Sequence, residues 1–563
     1  MPERWLLPRF RPPRILRGCI GRSVILCLLL LAGGDFTSRA EAAEPRLRDQ
    51  IDRHIQAKWK EQGIEPAAPA EDAEFLRRIT LDLTGTIPAY EETAAFLANT
   101  APDRREQLID RLLDSPEYVE QQVDRWDMIL FGRNPPGYQT DQRDGFQSWL
   151  RRKFAANEPL DRFVGELLRA EGDSVDQGPP LYLAQYSNQP EDAMEVVTQT
   201  FLGIQLQCAR CHDHPFDKWT QTDFYGMAAF LARVNVVNAG KKERLTRFAI
   251  GEKNTGEILF TGPASEQVAG KKGVPVGPKF LLEEPLEEPA LPEGVEDPRN
   301  FPSGKMPPAP HFSRKNALAD WIAGPDNPYF ARAMANRVWA QFMGRGLVHP
   351  VDNMSESNPA SHPELLDLLT RELVAHQFDL KWLIRELVSS QTWQLSSRGT
   401  VSLARPQWFE QARVRPLTAE ELTAAWKVAT GYNEVLKRNP PARPSENRFH
   451  PLSGGYVISF LGDPEDGTGE FQGGLREHLF LSNGGIDALL TTADGSLHHA
   501  LLQSEQPWPE RIERLFLQTL GRRPDDRERD QLTEFLADQP DLNSRLNDAI
   551  WALLTCSEFR FSH

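Results

Sequence analysis

Cysteine is scarce in this sequence, with five residues among 563. Cys19 and Cys27 fall in the N-terminal segment, which leaves Cys208, Cys211 and Cys556 in the rest of the chain. Domains that depend on disulfides carry a far higher share of thiols. The sequence therefore excludes a disulfide scaffold, and the close pair of cysteines needs a local explanation.

Positive charge is also in deficit. The chain has 64 Lys and Arg against 80 Asp and Glu, a formal net charge of -16 at pH 7. Proteins that neutralise many phosphates present a basic surface, and no run of basic residues interleaved with aromatic ones marks a groove for nucleic acid. We therefore expect no nucleic-acid partner.

Long apolar runs are missing as well, apart from Ser23–Ala32 near the N-terminus. That stretch is shorter than the roughly 20 residues of a membrane span, follows a segment rich in arginine, and precedes the small residues of Ala40-Glu-Ala42. We interpret residues 1–42 as a signal peptide, with an uncleaved membrane anchor as the alternative. The mature protein is then expected to be exported, to the periplasm, the cell surface or the medium, and to have no transmembrane segment.

The common catalytic motifs are absent. The sequence has no Gly-x-Ser-x-Gly, His-Glu-x-x-His, Walker A or Gly-x-Gly-x-x-Gly pattern. Hydrolase, zinc-protease and nucleotide-binding functions therefore have no support, and no catalytic residue is predicted. Whether the protein is an enzyme stays open, and so does its small-molecule substrate.

Helical patterns dominate both ends of the chain. Ala70–Thr84 and Asp103–Phe131 have amphipathic spacing, and Gly85-Thr-Ile-Pro88 predicts the end of one helix and the start of the next. The same spacing of glycine and proline recurs at Gly521-Arg-Arg-Pro524. In both places glycine and proline predict a short connection between two helices.

The composition changes between residues 234 and 312. Short alternating runs at Leu245–Ile250 and Glu257–Thr261 predict strands, and the acidic, proline-rich segment Glu283–Pro310 predicts a loop. The predicted fold is mainly α and multi-helical, with a small β-rich insertion in the middle. We expect a helical domain at 43–233, a β-rich insertion and linker at 234–312, and a second helical domain at 313–563.

One motif carries specific chemistry, Cys208-Ala-Arg-Cys211-His212. Cys-x-x-Cys-His is the attachment site of c-type haem, in which both thiols form thioethers and the histidine is an axial ligand of the iron. The motif predicts haem c on Cys208 and Cys211, with His212 on the iron. Such attachment is completed outside the cytoplasm, which agrees with the predicted export.

Two alternatives to haem remain open. Cys208, Cys211 and His214 could be three ligands of a zinc ion, although no second pair of Cys or His stands nearby to complete the site. The two cysteines could instead form a local disulfide or be inert thiols. Either alternative would make the chain a structural or surface-assembly protein.

The ligand on the other side of the iron is not defined by the motif. His214 is only two residues from His212, a tether too short to reach the opposite face of the haem. Six methionines are candidates, Met194, Met227, Met306, Met334, Met343 and Met354. A sixth ligand would favour electron transfer to a redox partner protein, whereas five-coordinate iron would leave room for small-molecule chemistry.

Several stretches carry a family resemblance. Phe75–Pro88, Ser115-Pro-Glu-Tyr118 and Phe201–Trp219 resemble the planctomycete cytochrome-like domain. The segments that resemble the planctomycete-specific domain that usually follows it include Asn316–Trp321, Asn327–Phe330, Asn336-Arg-Val-Trp339, Gly344-Arg-Gly346, His362–Leu366 and Ser557–His563. Both are domains of unknown function. The resemblance implies a large exported protein whose reaction is not settled.

Overall fold

The computed structural model describes residues 45–132, 143–187, 189–243, 245–260, 273–295, 308–399, 405–438, 457, 461, 475–483, 486–537 and 540–563. The predicted signal peptide at 1–42 and the candidate ligand Met306 lie outside these residues. No helix within the described ranges is long and apolar enough to cross a membrane.

Ten α-helices precede residue 234 in the described part of the chain. They are α1 (Leu47–Gln62), α2 (Asp72–Thr84), α3 (Tyr90–Ala98), α4 (Arg104–Leu113), α5 (Pro116–Phe131), α6 (Asp144–Ala155), α7 (Leu160–Arg169), α8 (Pro180–Ala184), α9 (Pro190–Val197) and α10 (Gln221–Ala228). Gly85 adopts φ of 69° after α2, as the predicted helix stop requires. The pattern over 103–131 divides into α4 and α5 because Pro116 begins a helix that Ser115 caps.

The middle of the chain forms the predicted β-rich insertion. An antiparallel sheet has the order β1 (Gly172–Asp173), β3 (Leu245–Glu252), β2 (Val234–Lys242). A second antiparallel pair joins β4 (Ile258–Phe260) to β5 (Val274–Val276). The segment from 283 to 295 contains neither helix nor strand, as expected for the acidic, proline-rich loop.

Twelve further α-helices occupy the described part of the second half. They are α11 (Arg314–Ile322), α12 (Phe330–Met343), α13 (Pro363–Ala375), α14 (Leu380–Val388), α15 (Ala419–Ala429), α16 (Tyr432–Arg438), α17 (Leu475–Asn483), α18 (Leu497–Leu502), α19 (Trp508–Thr519), α20 (Asp526–Leu536), α21 (Leu542–Thr555) and α22 (Ser557–Arg560). A small antiparallel pair joins β6 (Arg415–Pro416) to β7 (Phe561–Ser562). The fold is mainly α with a small β element in the middle, as predicted.

Two hydrophobic clusters hold the helices together. The first core contains buried side chains from Leu47 to Phe409, so α1 to α10 and α11 to α14 share one interior. The second core contains side chains from Leu417 to Phe559, joined by Leu81 and Ile87 from the beginning of the chain. The expected domain limits at 233 and 313 stay a prediction, and the first core extends across both of them.

Two hydrogen bonds join α2 to helices near the C-terminus. The guanidinium group of Arg77 on α2 donates to the carbonyl oxygens of Thr519 and Phe559 at 3.2 and 2.8 Å. His498 is a buried histidine near the end of the chain, with only 1% of its surface exposed. Its helix, α18, packs against α21, and His498 Nε2 lies 3.3 Å from the Asn543 carbonyl oxygen.

Candidate functional site

The Cys-x-x-Cys-His motif lies in a tight turn that follows α9 and a π-helical turn. After Val197 the helix continues as a π-helical turn, Thr198–Leu202, which ends at Gly203 with φ of 68°. A 3₁₀ helix, Gln207–Arg210, follows. We call residues 207–212 the cysteine turn. Changes of helical pitch of this kind alter the direction of the chain and are frequent at functional sites.

The two thiols of the cysteine turn stand three residues apart. Cys208 lies within the 3₁₀ helix, and Cys211 follows its last residue. The amide groups of Cys211 and His212 both point to the Cys208 carbonyl oxygen, at 3.4 Å each. Both cysteines are free thiols and exposed. The structure therefore presents two accessible sulfur atoms next to an exposed imidazole.

Ala209 and Arg210, between the two cysteines, fasten the turn to the protein. Ala209 is buried in the first core. The Arg210 guanidinium group lies 2.7 Å from Asp192 and 3.5 Å from Glu195, both on α9. Burial raises the pKa of Glu195 even though Arg210 opposes that shift. The inner side of the turn is therefore anchored, while the side with the thiols faces outward.

The next helix holds the turn from its other end. Gln221 and Tyr225 on α10 donate to the Arg210 carbonyl oxygen, at 3.2 and 3.1 Å. Asp213 Oδ1 accepts from the Gln221 amide at 2.9 Å. Although burial disfavours the charged form of Asp223 on α10, hydrogen bonds from Lys279 and Thr220 hold the pKa of its carboxyl group below the usual value.

The protonation pattern of His212 follows from its hydrogen bond. His212 Nδ1 lies 2.8 Å from the Asp213 carbonyl oxygen. Because a carbonyl oxygen can only accept, Nδ1 carries the proton in this hydrogen bond, and in the neutral imidazole Nε2 then has the lone pair. A backbone carbonyl on the far nitrogen is the usual arrangement that orients a histidine for metal ligation. Among the described residues no hydrogen bond occupies His212 Nε2.

His214 has the opposite arrangement. Its Nδ1 accepts a hydrogen bond from the Phe216 amide at 3.3 Å, so that lone pair is engaged with the backbone. The His214 amide donates to the Trp219 carbonyl oxygen at 2.8 Å and closes the loop that follows the motif. Within the described residues, no group of three or more His, Cys, Asp or Glu side chains is arranged to hold a metal ion. This holds for Cys208 and Cys211 with His214 and equally with His212, so haem and zinc both stay predictions.

The chemistry of the donor set at the turn fits a c-type haem. Two free thiols with the required spacing and an imidazole with an available Nε2 are what covalent attachment and axial ligation need. Phe216, four residues beyond His212, is 77% exposed and offers apolar surface beside the motif.

The described candidates for a sixth ligand occupy the interior. Met194, Met227, Met334 and Met343 are buried in the first core. Met354 is partly buried, and its amide donates to the Gly203 carbonyl oxygen at 2.8 Å, just ahead of the cysteine turn. None of these positions singles out one methionine as a ligand.

Sequence reasoning missed a contact between the turn and the second half of the chain. The Arg337 guanidinium group on α12 donates to the carbonyl oxygens of Gln199 and Thr200, at 3.4 and 3.2 Å, in the π-helical turn. Trp219 packs edge-on against Tyr329 with ring centroids 6.2 Å apart. Residues more than 100 positions away therefore support the motif, and no local pattern in the sequence could reveal them.

Family profiles match two segments of the chain. Residues 50–236 match PSCyt2, described as a protein of unknown function (DUF1549), and residues 314–468 match PSD1, also described as a protein of unknown function (DUF1553). The two matches stand in the N-to-C order that the resemblance predicts. No curated protein and no solved structure matches it. The cysteine turn lies in the PSCyt2 segment, and Arg337 and Tyr329, which contact residues on either side of the turn, lie in the PSD1 segment.

Proposed function

We propose that the protein is an exported c-type haem protein that passes electrons to a partner protein. Cys208 and Cys211 are the thioether anchors, and His212 is the axial ligand through Nε2. The observation that carries this proposal is the hydrogen bond from His212 Nδ1 to the Asp213 carbonyl oxygen, because it fixes the tautomer that a ligand needs. The PSCyt2 name of the matched domain agrees with it.

The protein's own residues have distinct roles in this proposal. A bound haem supplies an iron that alternates between two oxidation states. The Asp213 carbonyl oxygen would orient the imidazole, Arg210 and Ala209 would keep the backbone of the turn in place, and the exposed ring of Phe216 would offer apolar surface beside the group. Such hydrogen bonding and exclusion of solvent are the means by which a protein sets a haem potential.

Export follows from the same chemistry. Attachment of haem to Cys-x-x-Cys-His is completed outside the cytoplasm, and residues 1–42 have the features of a signal peptide. We therefore place the mature protein in the periplasm or on the cell surface. Electron passage to a partner, rather than catalysis, is preferred because the chain presents no catalytic motif beside the cysteine turn.

Covalent haem is the test. The full chain is expressed in a host with haem c maturation, and the purified protein is analysed by peroxidase staining after denaturing electrophoresis and by metal analysis. We expect one haem that survives denaturation and one iron per chain. His214→Gln, a matched change two residues from the ligand, should retain both. A folded protein with stoichiometric zinc and neither haem nor iron would overturn the proposal.

The coordination of the iron distinguishes a relay from a catalyst. We expect the spectrum of the reduced protein to remain unchanged when carbon monoxide is added, because a six-coordinate iron has no free position. Immediate binding of carbon monoxide would show an open position and would contradict the relay.

A further inference from the structure

A loop that follows β5 packs against α10, the helix that also holds the cysteine turn. We call residues 278–286 the leucine loop. Its two ends meet where the Leu286 amide donates to the Pro278 carbonyl oxygen at 2.8 Å. The Lys279 ammonium group of the loop binds Asp223 on α10 at 2.5 Å. The leucine loop is therefore closed on itself and fastened to the support of the motif.

The tip of the leucine loop displays an apolar side chain on a strained backbone. Leu282 is 57% exposed, and its φ of 61° is in the left-handed region that leucine rarely adopts. The side chain of its neighbour, Leu281, is buried in the first core. Residues held in such conformations cluster at active sites and ligand clamps. The turn thus places one leucine in the interior and leaves the next one in solvent.

Packed aromatic rings connect the leucine loop with the loop that follows the motif. Phe280 stacks on Trp321 with ring centroids 4.9 Å apart, and Trp321 Nε1 donates to Glu283 Oε1 at 2.9 Å. The ring of Tyr329 lies between those of Trp321 and Trp219, with centroid distances of 6.4 and 6.2 Å. Trp219 belongs to the loop that follows the cysteine turn. The rings therefore join the two loops in one packed series.

Carboxylates approach this series of rings from both loops. Burial raises the pKa of the Tyr329 hydroxyl, and the negative charges of Asp217 and Glu283 raise it further. Asp217 follows Phe216 in the loop after the motif, and Glu283 follows the tip of the leucine loop. Phe216 is 77% exposed. Each of the two exposed apolar side chains therefore stands next to a carboxylate that acts on the same tyrosine.

Acids outnumber free cations on this surface. Glu284 and Glu287 are exposed, and within the described residues neither forms an ion pair. Lys218 and Lys279 already have acidic partners, at 3.8 and 2.5 Å. The surface thus keeps a negative excess on a chain whose net charge is -16. Such a potential repels a second copy of the chain, nucleic acid and anionic lipid, and it attracts a basic protein.

We propose that the exposed side chains of Phe216 and Leu282, with half-buried Trp321 and the carboxylates of Glu283 and Glu284, form the docking surface for a small, basic electron-transfer protein. The inference rests on the proposed function and names the partner of its haem. Complexes for electron transfer have small interfaces, and complementary charge guides their encounter. An apolar centre with a polar rim is the usual anatomy of a protein interface. A protein seated here lies beside the loop that carries the motif.

Isothermal titration of the full chain with mitochondrial cytochrome c, a small basic haem protein, tests the proposal. We expect saturable binding at low ionic strength and its loss when salt screens the charges. Plant-type ferredoxin, an acidic electron carrier, should not bind.

The haem content of the chain is measured before each titration, so that two failures can be told apart. A chain that carries haem and does not bind cytochrome c would contradict the docking surface alone. A chain that binds cytochrome c but never acquires haem would contradict the proposed function and leave the docking surface supported.

Two variants separate the apolar tip from the acidic rim. Leu282→Asn should weaken binding about ten-fold, because it removes the apolar group, and it should fold because asparagine tolerates the left-handed backbone better than leucine does. Glu284→Lys should weaken binding about ten-fold at low ionic strength and less at high ionic strength. Leu479→Asn on α17 and Glu534→Lys on α20 make the same two changes at other exposed positions and should bind as the wild type does.

The docking surface is wrong if ferredoxin binds as tightly as cytochrome c, or if Glu534→Lys lowers the affinity as much as Glu284→Lys. Unchanged affinity in Leu282→Asn would equally contradict it. A wild-type dimer that Leu282→Asn abolishes, measured by analytical ultracentrifugation, would show that a second copy covers the tip and would overturn the proposal.

Discussion

The cysteine turn and the buried charge cluster around Arg415 place polar groups in opposite surroundings. In the turn, the partners of Arg210 and Asp213 lie within 18 residues along the chain. Arg415 instead joins Glu421 at 2.7 Å and Asp82, 333 positions away, at 3.0 Å. The thiols of the turn are thus exposed, and the ion pair and hydrogen bond beside them are short-range in sequence, whereas the carboxylates that Arg415 joins are buried. The comparison separates the groups of the proposed site from charges that hold helices together.

The largest expected effect comes from removing both thiols of the turn. Cys208→Ala with Cys211→Ala should abolish covalent haem completely, because no sulfur remains for the thioethers. Both side chains are exposed, so the free energy of unfolding of the haem-free chain should change by less than about 1 kcal/mol. Haem staining and urea unfolding measure the two quantities. Cys556→Ala is the matched control and should keep its haem.

Removing Arg415 should lower the free energy of unfolding and leave haem attachment in place, the opposite of removing the thiols. Arg415→Met leaves the buried carboxylates of Glu421 and Asp82 without their counter-charge, which costs about 3–5 kcal/mol of unfolding free energy. Haem attachment to the chains that remain folded should persist. The control Arg413→Met, two residues away and exposed, should cost less than about 0.5 kcal/mol. Equal losses in the two variants would contradict a structural role for the buried pair.

His362 is buried, whereas His212 in the cysteine turn is exposed. His362 is 5% exposed, and burial, with the charges of Lys58 and His54, lowers its pKa to about 4. The unfolded chain takes up this proton near pH 6.5, so between the two values it binds more protons than the folded chain. The unfolding free energy should therefore fall as pH drops from about 6.5 to about 4, by at most about 3 kcal/mol.

Urea unfolding across that pH range measures this slope. His362→Gln should make it shallower, whatever its effect on stability at pH 7. His376→Gln, a change at an exposed histidine, should leave the slope unaltered. Parallel curves for the wild type and His362→Gln would show that this group does not contribute.

The smallest effect is expected from Arg337, which joins α12 to the π-helical turn ahead of the cysteine turn. Arg337→Met removes the hydrogen bonds to the carbonyl oxygens of Gln199 and Thr200 and should cost about 1–3 kcal/mol. Hydrogen exchange of the amides between 198 and 212 should become faster, while exchange in α20 should not change. Uniformly faster exchange would show that Arg337 stabilises the whole fold and not the turn in particular.

Residues that begin or end helices explain which parts of the fold the sequence predicts. Gly85 and Gly521 each end a helix with positive φ, and Pro116 begins one, because the constraints on these residues act within one helical turn. The β-rich insertion is likewise visible in its alternating runs. The sharing of the first core by both helical regions is not predictable, because amphipathic patterns show that a face is buried but not which helix covers it.

The candidate site divides in the same way. The spacing of Cys208, Cys211 and His212 predicts a haem ligand set, and the choice between His212 and His214 needs the hydrogen bonds that fix each tautomer. The contacts of Arg337 could not be found from the sequence, because Gln199 and Thr200 lie more than 130 positions away in the chain.

The presence of Leu81 and Ile87 in the second core has a consequence for the order of folding. Their partners lie between residues 417 and 559, and Arg77 reaches the Phe559 carbonyl oxygen. Chains begin to fold from the N-terminus as they are synthesised, yet one face of α2 finds no cover until almost the whole polypeptide has been made. The apolar side chains of Leu81 and Ile87 therefore stay uncovered until the C-terminal helices have been made, so this part of the fold is among the last to close.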